Sequence, residues 1–294
     1  MKKLIERLLI FFIGTPAIVA LVLFLPWFNN LALNIAAIFF SAMGAVELSA
    51  MLEKKHIRVS KIESFILGAL APLAITLHVS FNLPLWIVSV VIMSGAGLSL
   101  LSGIFSRPSE FEIGLNKIIG CFSMLVYPGF FMYWLIKMNI WQNSFAILLF
   151  LLTAVASDSI AWLFGTLFGA NNRGLIAVSP NKSIAGFIGG IIGPILVAAA
   201  AVFVVFPNNI NVFPINAFYD MPVSTMLFTA IIIGFCTGIA AMAGDLAESA
   251  IKRSCDFKDS GNFMLGRGGV LDSIDSIIVA APVFYLLYHL LFIA

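Results

Sequence analysis

Charged residues are concentrated near the C-terminal end of the chain, in the stretch from Gly244 to Asp275. Ten of the thirty charged side chains of the sequence fall within these 32 positions. Four polar residues there follow the i, i+3, i+4, i+7 spacing of one helix face: Asp245, Glu248, Ser249 and Lys252. Asp272 and Asp275 form a further i, i+3 pair. We therefore expect two acidic helix faces on either side of a basic loop.

This pattern predicts a binding site for a metal-bound polyphosphate. Clustered carboxylates repel one another unless a cation joins them, and Mg²⁺ prefers oxygen ligands that it can share with phosphate groups and water. The clustered carboxylates therefore predict Mg²⁺ as the cofactor. Four basic residues are predicted to supply countercharge to further phosphates: Lys252, Arg253, Lys258 and Arg267. The alternatives are helix capping by Asp272 and simple membrane anchoring by Lys252 and Arg253.

A second polar patch begins at Asp158, which lies inside an apolar run. A carboxylate within a bilayer is costly and calls for a partner. Further along, Ser179, Lys182 and Ser183 come directly before another apolar run, and the N-terminus of a helix attracts phosphate. A plain loop with an N-cap serine is the alternative. The residues predicted to bind substrate are Asp158, Ser179, Lys182, Ser183 and Ser249.

Membrane helices are the elements that must position these residues. The sequence is 61% hydrophobic and only 10% charged, a composition that leaves a soluble domain unable to cover its own surface. Nine apolar runs are long enough to cross a bilayer, at about 4–28, 31–52, 63–81, 83–105, 117–138, 142–168, 184–206, 223–249 and 273–293. The runs are continuous and lack the alternation of barrel strands. We predict an all-α, polytopic membrane helix bundle.

The distribution of basic residues predicts the orientation of the bundle. Fifteen of the sixteen Lys and Arg residues fall on one side of the nine predicted spans, and Lys137 falls on the other. Positive charge stays cytoplasmic during insertion, so the N-terminus is predicted to be cytoplasmic. The acids then converge on the cytoplasmic face. We expect a multi-pass protein of a bacterial inner membrane, with 1–140 as N-terminal helices and 141–294 as the catalytic region.

Small residues at helix-packing spacing suggest where helices approach closely. Three glycine pairs stand four residues apart: Gly186/Gly190, Gly189/Gly193 and Gly234/Gly238. We predict packing within the chain, with a homodimer contact as the alternative.

At the two polar patches the sequence resembles the phosphatidate cytidylyltransferases, also called CDP-diacylglycerol synthases. The C-terminal signature of that family is matched by Gly244, Asp245, Glu248, Ser249, Lys252, Arg253, Lys258, Asp259, Ser260, Gly261, Gly266, Gly268, Gly269, Asp272 and Asp275. An earlier family block is matched by Asp158, Ser159, Ala161, Ser179, Pro180, Lys182, Ser183, Gly186, Gly189 and Gly190. Three positions depart from the pattern: Arg267 replaces a His, Ser273 an Arg, and Ala185 an acidic or amide residue.

The resemblance implies an enzyme that transfers CMP from CTP to phosphatidic acid, with Mg²⁺, giving CDP-diacylglycerol and pyrophosphate. It implies catalytic roles for Asp245, Lys252, Arg253, Lys258, Asp259 and Arg267. It also implies that Asp245, Asp272 and Asp275 hold the Mg²⁺. CTP, phosphatidic acid and the lipid bilayer are the expected partners, without nucleic acid. The alternatives are a transporter that couples ions or protons through Asp158 and a related CTP-dependent lipid kinase. Acids at one end and no duplicated halves argue against the transporter.

Overall fold

The protein is all-helical in the part of the chain that its computed structural model describes, residues 13–102, 111–208, 222–264 and 268–293. Nine apolar helices lie within these ranges, and no β-sheet does. Seven of the nine are long and apolar enough to cross a bilayer, and two are shorter. The predicted all-α, multi-pass membrane architecture is therefore confirmed for the described residues.

The helices follow the predicted apolar runs closely. In chain order they are α1 (Thr15–Phe24), α2 (Trp27–Glu53), α3 (Lys61–Phe81), α4 (Leu85–Leu101), α5 (Glu112–Trp141), α6 (Ser144–Phe168), α7 (Ile184–Asn208), α8 (Val223–Ser254) and α9 (Leu271–Phe292). The shorter helices are α1 and α4. Helix α8 continues to Ser254, beyond the predicted end at residue 249, so Lys252 and Arg253 are helical.

Side-chain caps explain several helix starts. Ser60 accepts a hydrogen bond from Glu63 N–H (3.2 Å) at the start of α3. Asn143 accepts from the N–H groups of residues 145 and 146 at the start of α6. The first N–H groups of a helix have no partner within the helix, so such caps fix where it begins.

Helix α5 changes its winding along its length. It is α-helical to Met124, π-helical over Leu125–Phe130, α-helical again over Phe131–Lys137, and ends in a 3₁₀ turn. Pro128 lies in the π-helical segment. Proline has no N–H to donate and crowds the preceding turn, so a wider turn accommodates it.

The chain divides into two compact units. The first unit takes the described residues of Met1–Ile140 and Ile251–Ile274, and the second takes those of Trp141–Ala250 and Asp275–Ala294. The second unit begins at Trp141, and a late segment, Ile251–Ile274, returns to the first unit, while the division into 1–140 and 141–294 stays a prediction. The charged stretch from Gly244 to Asp275 is consequently shared between the two units.

Within the first unit, buried amides join α2, α3 and α5. Asn30 donates to Asn139 Oδ1 (2.9 Å), and Asn139 donates to Asn34 Oδ1 (2.9 Å). Asn34 in turn lies 3.3 Å from Ser80 Oγ. Hydrogen bonds between polar side chains of this kind hold helices together where the hydrophobic effect cannot.

Within the second unit, glycines let helices touch backbone to backbone. A Cβ at Gly189 or Gly193 of α7 would lie 2.7 Å from Ile160 O or 2.6 Å from Ala156 O, both on α6. A Cβ at Gly234 of α8 would lie 2.7 Å from Pro194 O. These glycines therefore pack within the chain, as the sequence predicted.

Candidate active site

Two groups of polar residues, one in each unit, contain six of the thirteen predicted site residues. We call the group in the first unit the capped cluster: Glu47, Lys252, Ser260 and Asp272. We call the group in the second unit the acid cluster: Asp158, Lys182, Asp245, Glu248, Asp275 and Ser276. Each is described by itself.

Asp272, in the capped cluster, uses both carboxylate oxygens on protein donors. Its Oδ1 accepts from the Lys252 ammonium, and the two side chains are 8% and 12% exposed. Its Oδ2 accepts from Ser260 N–H and Gly269 N–H, each at 2.8 Å. Asp272 thus has the capping role that the sequence left open, and its predicted role as a metal ligand stays a prediction.

The start of α9 is capped by three different side chains. Gly269 N–H donates to Asp272, Val270 N–H to Glu47 Oε1 (2.9 Å), Leu271 N–H to Glu47 Oε2 (2.8 Å), and Asp272 N–H to Ser260 Oγ (3.2 Å). Four successive N–H groups that the helix cannot satisfy are all accepted. This helix terminus is therefore already occupied and does not offer its N–H groups to a phosphate.

Three glycines of the signature lie too close to these carboxylates to be replaced by a residue with a side chain. A Cβ at Gly261 or Gly269 would overlap the carboxylate of Glu47, although neither glycine has a left-handed φ. Gly268 has φ +101°, which favours glycine, and a Cβ there would lie 2.6 Å from Asp272 Oδ2. The glycines of the turn are explained by packing against two acids.

In the acid cluster, carboxylates outnumber the cations placed with them. Asp275 is 5% exposed and is repelled by the negative charges of Asp245, Glu248 and Asp158. Ser276 Oγ lies 3.0 Å from Asp158 Oδ1 and 3.2 Å from Asp275 Oδ1, so this hydroxyl joins the two acids. A Cβ at Gly244 would overlap the backbone of Asp275, which keeps α8 and α9 in close contact here.

Lys182 brings a positive charge to the acid cluster. Its Nζ lies 2.7 Å from Asp245 Oδ2, and the two side chains are 25% and 36% exposed. Its neighbour Ser183 is buried and accepts Gly186 N–H (3.0 Å), which makes it the N-cap of α7. For Ser183 the structure supports the N-cap alternative, while Ser179 lies nearby in a turn, with its O accepting Lys182 N–H.

The remaining predicted residues lie near the ends of α8 and the following loop. Arg253, Lys258 and Asp259 are exposed, and Arg253 Nη1 lies 3.4 Å from the carbonyl oxygen of Phe257. Ser249 Oγ lies 3.5 Å from Asp245 Oδ1, at the limit of a hydrogen bond. Arg267 and Gly266 fall outside the described residues.

The acid cluster offers carboxylate oxygens as possible ligands for a metal ion. Within the described ranges, no three acidic, histidine or cysteine side chains stand close enough together to form a complete protein cage for a metal. Mg²⁺ is usually held by one or two carboxylates, with substrate phosphates and water completing its shell. Asp275, which is buried near the half-buried acids Asp158 and Asp245, suits that mode of binding.

Comparison with known proteins agrees with the motifs. The model of the family described as "Cytidylyltransferase family" matches residues 5–291. The chain belongs to the cytidylyltransferase family. It is 28% identical over 272 residues to the phosphatidate cytidylyltransferase of Staphylococcus haemolyticus, covering 92% of this chain and 96% of that one. It is 30% identical over 215 residues to the phosphatidate cytidylyltransferase of Thermotoga maritima, covering 72% of each chain.

A further relative has no assigned activity. The chain is 34% identical over 184 residues to the uncharacterized protein YnbB of Escherichia coli, covering 60% of this chain and 55% of that one. Membership of the cytidylyltransferase family makes the chain an enzyme that transfers a nucleotidyl group, as the resemblance implied. The family match also extends over the N-terminal helices, in which the sequence showed only apolar runs.

Two residues of these clusters were not found from the sequence. Glu47 lies on α2 in the N-terminal half, and Ser276 follows Asp275 directly. Ser276 gives no signal of its own, because serine is common in membrane helices. Glu47 did give one: it is an acid inside an apolar span, the same observation that drew attention to Asp158.

Proposed function

We propose that this cytidylyltransferase acts on phosphatidic acid, transferring CMP from CTP to give CDP-diacylglycerol and pyrophosphate. The observation that carries the proposal is the acid cluster: Asp275, buried among three further acids in membrane-spanning helices, with Lys182 on Asp245. The names of relatives that align over most of their length support the same substrate.

The reaction joins a lipid phosphate to a nucleotide. An oxygen of the phosphatidate phosphate attacks the α-phosphorus of CTP, and the bond from that phosphorus to the bridging oxygen of the pyrophosphate breaks. The electron pair leaves with pyrophosphate. Transfers of this type depend mainly on positioning and on stabilising the negative charge, so a dedicated general base is not required.

Asp275 and Asp245 are the residues that we propose hold Mg²⁺, with Asp158 beside them. Mg²⁺, when bound, neutralises charge that develops on the leaving pyrophosphate. Ser276 keeps the carboxylates of Asp158 and Asp275 in a fixed relation by its bridging hydroxyl. The burial of Asp275 excludes water from its surroundings, which strengthens every charge interaction there.

Lys182 is proposed to bind a phosphate of CTP. In the absence of substrate its ammonium pairs with Asp245 (2.7 Å). Lys182 would exchange this carboxylate for a phosphate of the nucleotide, and Asp245 would then be one of the residues that hold the cation. The sequence also assigns phosphates to Lys252, Arg253, Lys258 and Arg267, and those roles remain predictions.

The direct test is product analysis with purified protein in detergent. Incubation with cytidine-labelled CTP, phosphatidic acid and Mg²⁺ should transfer the label into a lipid-extractable product and release pyrophosphate. Omission of phosphatidic acid or chelation of Mg²⁺ should stop the transfer. Label that emerges as CDP would indicate a lipid kinase instead, and label that stays in CTP would refute the proposed substrate.

We further propose that the acid cluster faces the cytoplasm of a bacterial inner membrane, because CTP is a soluble cytoplasmic nucleotide and basic residues concentrate on that side of the spans. A topology reporter fused after Ala294 should then be extracytoplasmic, and one inserted at Asn171 cytoplasmic. The reverse result would refute this orientation.

A further inference from the structure

Glu47 is a buried carboxylate on α2, and it contacts a segment of the chain that lies more than two hundred positions away. It is 8% exposed. Its partners are Ser260, Val270 and Leu271, all within the late segment of the first unit. The family signature matched in the sequence begins far downstream of it. Its role is therefore not explained by the motif residues themselves.

The contacts of Glu47 require a carboxylate and not just any polar side chain. Val270 N–H donates to Oε1 at 2.9 Å, Leu271 N–H donates to Oε2 at 2.8 Å, and Ser260 Oγ lies 2.9 Å from Oε2. An ionised carboxylate accepts at both oxygens. A glutamine offers one oxygen, and its NH₂ group would point at a backbone N–H that also needs an acceptor.

From Glu47 the contacts continue to a lysine. Ser260 Oγ lies between Glu47 Oε2 and Asp272 Oδ2, 2.9 Å and 3.0 Å away, and it accepts Asp272 N–H. Asp272 in turn holds the ammonium of Lys252. Because a hydroxyl has a single proton, Ser260 donates to one carboxylate at a time and ties the two together.

We propose that Glu47 is a positioning residue for nucleotidyl transfer: through Ser260 and Asp272 it fixes Lys252 in the orientation that binds a phosphate of CTP. The proposal rests on the proposed function for the identity of that phosphate. Glu47 itself does not touch substrate. It fixes the start of α9 and the glycine-containing turn before it. Asp272, which lies at this helix start, in turn holds Lys252.

The packing of the turn supports this role independently. A Cβ at Gly261 would overlap the Glu47 carboxylate, and a Cβ at Gly269 would overlap both Ser260 Oγ and the Glu47 carboxylate. Two glycines of the family signature are thus shaped around an acid from another helix. Because residues of the signature pack directly against Glu47, the position of Glu47 affects the position of this turn.

The first test compares Glu47→Gln with two controls on the same helix. We expect the KM for CTP to rise about 10-fold, the usual effect of misplacing one charged hydrogen-bond partner. Glu53→Gln makes the same chemical change at an exposed position and should leave KM within about two-fold. Asn34→Ala removes a buried amide at a distance and should lower the unfolding temperature without raising KM.

Ser260→Ala provides a second variant that keeps the buried acid. It should raise the KM for CTP by a similar factor, and adding it to Glu47→Gln should produce little further loss, because both act through one chain of contacts. A wild-type KM in Glu47→Gln would overturn the proposal. An equal rise in KM in Asn34→Ala would also overturn it, because general destabilisation would then explain the effect.

Amide hydrogen exchange tests the contact between Glu47 and the start of α9 in the absence of substrate. Glu47→Gln should speed exchange of the Val270 and Leu271 amides, whereas Glu53→Gln should not; unchanged protection would refute the positioning contact. Equilibrium binding of CTP completes the test, with weaker binding expected in Glu47→Gln. If the wild type converts no phosphatidic acid, the proposed function fails, while the exchange and CTP-binding results still decide the role of Glu47.

Discussion

Asp272 and Asp275 stand three residues apart on α9, and their surroundings differ in how negative charge is balanced. Asp272 belongs to the capped cluster, in which a lysine and two backbone N–H groups occupy its oxygens. Asp275 belongs to the acid cluster: its Oδ1 accepts the N–H (2.6 Å) and the hydroxyl (3.2 Å) of Ser276, and three other acids oppose its negative charge. The first carboxylate is satisfied by the protein, and the second calls for a cation from outside.

The difference shows that charge density alone does not identify a catalytic acid. Both residues match the same signature and were predicted to bind the same metal. The donors around Asp272 make it a structural residue. Asp275 is buried among like charges, and a bound cation would reduce the free-energy cost of that burial. The predictions below separate these two roles.

Asp275→Asn should have the largest effect on activity. An amide keeps the size of the side chain but removes the charge that draws Mg²⁺, and a bound metal contributes several kcal/mol to the transition state, so we expect a loss of about 10³-fold. In Mg²⁺-free buffer the variant should unfold at the same temperature as the wild type or higher, because a buried acid that three other acids oppose has been replaced by a neutral amide. Liponucleotide formation and thermal unfolding measure the two effects. Activity near that of the wild type would mean that the acid cluster does not hold the metal.

Lys182→Met should reduce kcat/KM by about 100-fold, since it removes a cation from the transferring phosphates. Arg173→Met is the matched control, because Arg173 is an exposed cation on the same loop, and it should change kcat/KM little. Equal losses in the two variants would indicate that the loop contributes only its overall charge.

Asp272→Asn should lower stability and, because it releases Lys252, should also raise the KM for CTP by about 10-fold, as in Glu47→Gln. The substitution breaks a buried ion pair and weakens the caps of α9, so the free energy of unfolding should fall by about 3 kcal/mol. Asp256→Asn removes a carboxylate from the exposed pair with Lys55 (3.2 Å) and should cost less than about 1 kcal/mol. Denaturant unfolding in detergent measures both. If the two variants lose the same stability, the capped cluster is not the structural element that we describe.

The smallest expected effect is on Cys255, a buried residue just after α8. Burial raises the pKa of its thiol, so little thiolate is present near neutral pH and alkylation should be slow. The rate should increase with pH. In Asp272→Asn, with Cys121 and Cys236 replaced by serine, we expect alkylation to be faster by about three-fold, because local opening becomes easier. An unchanged rate would show that the capped cluster does not restrain this segment.

The sequence predicted the helices better than it predicted the clusters. Hydropathy along the chain located all nine helices, because a bilayer imposes one length on every span. It also located Asp158 and Asp275, whose cost inside a membrane is visible in the sequence alone. The sequence could not decide whether Asp272 caps a helix or binds a metal, because that depends on where Lys252 and Ser260 point. It also could not connect Glu47 to a turn more than two hundred residues later.

That long separation has a consequence for how the protein is made. Ser260 lies 213 positions after Glu47, and Leu271 lies 224 positions after it. At a synthesis rate of about 5–20 residues per second, α2 has left the ribosome roughly 10–45 seconds before its carboxylate can meet these donors. During this interval an apolar helix carries an acid whose final partners do not yet exist. A chain that stops before Ser260 never supplies them, so assembly of the first unit depends on synthesis having passed Leu271.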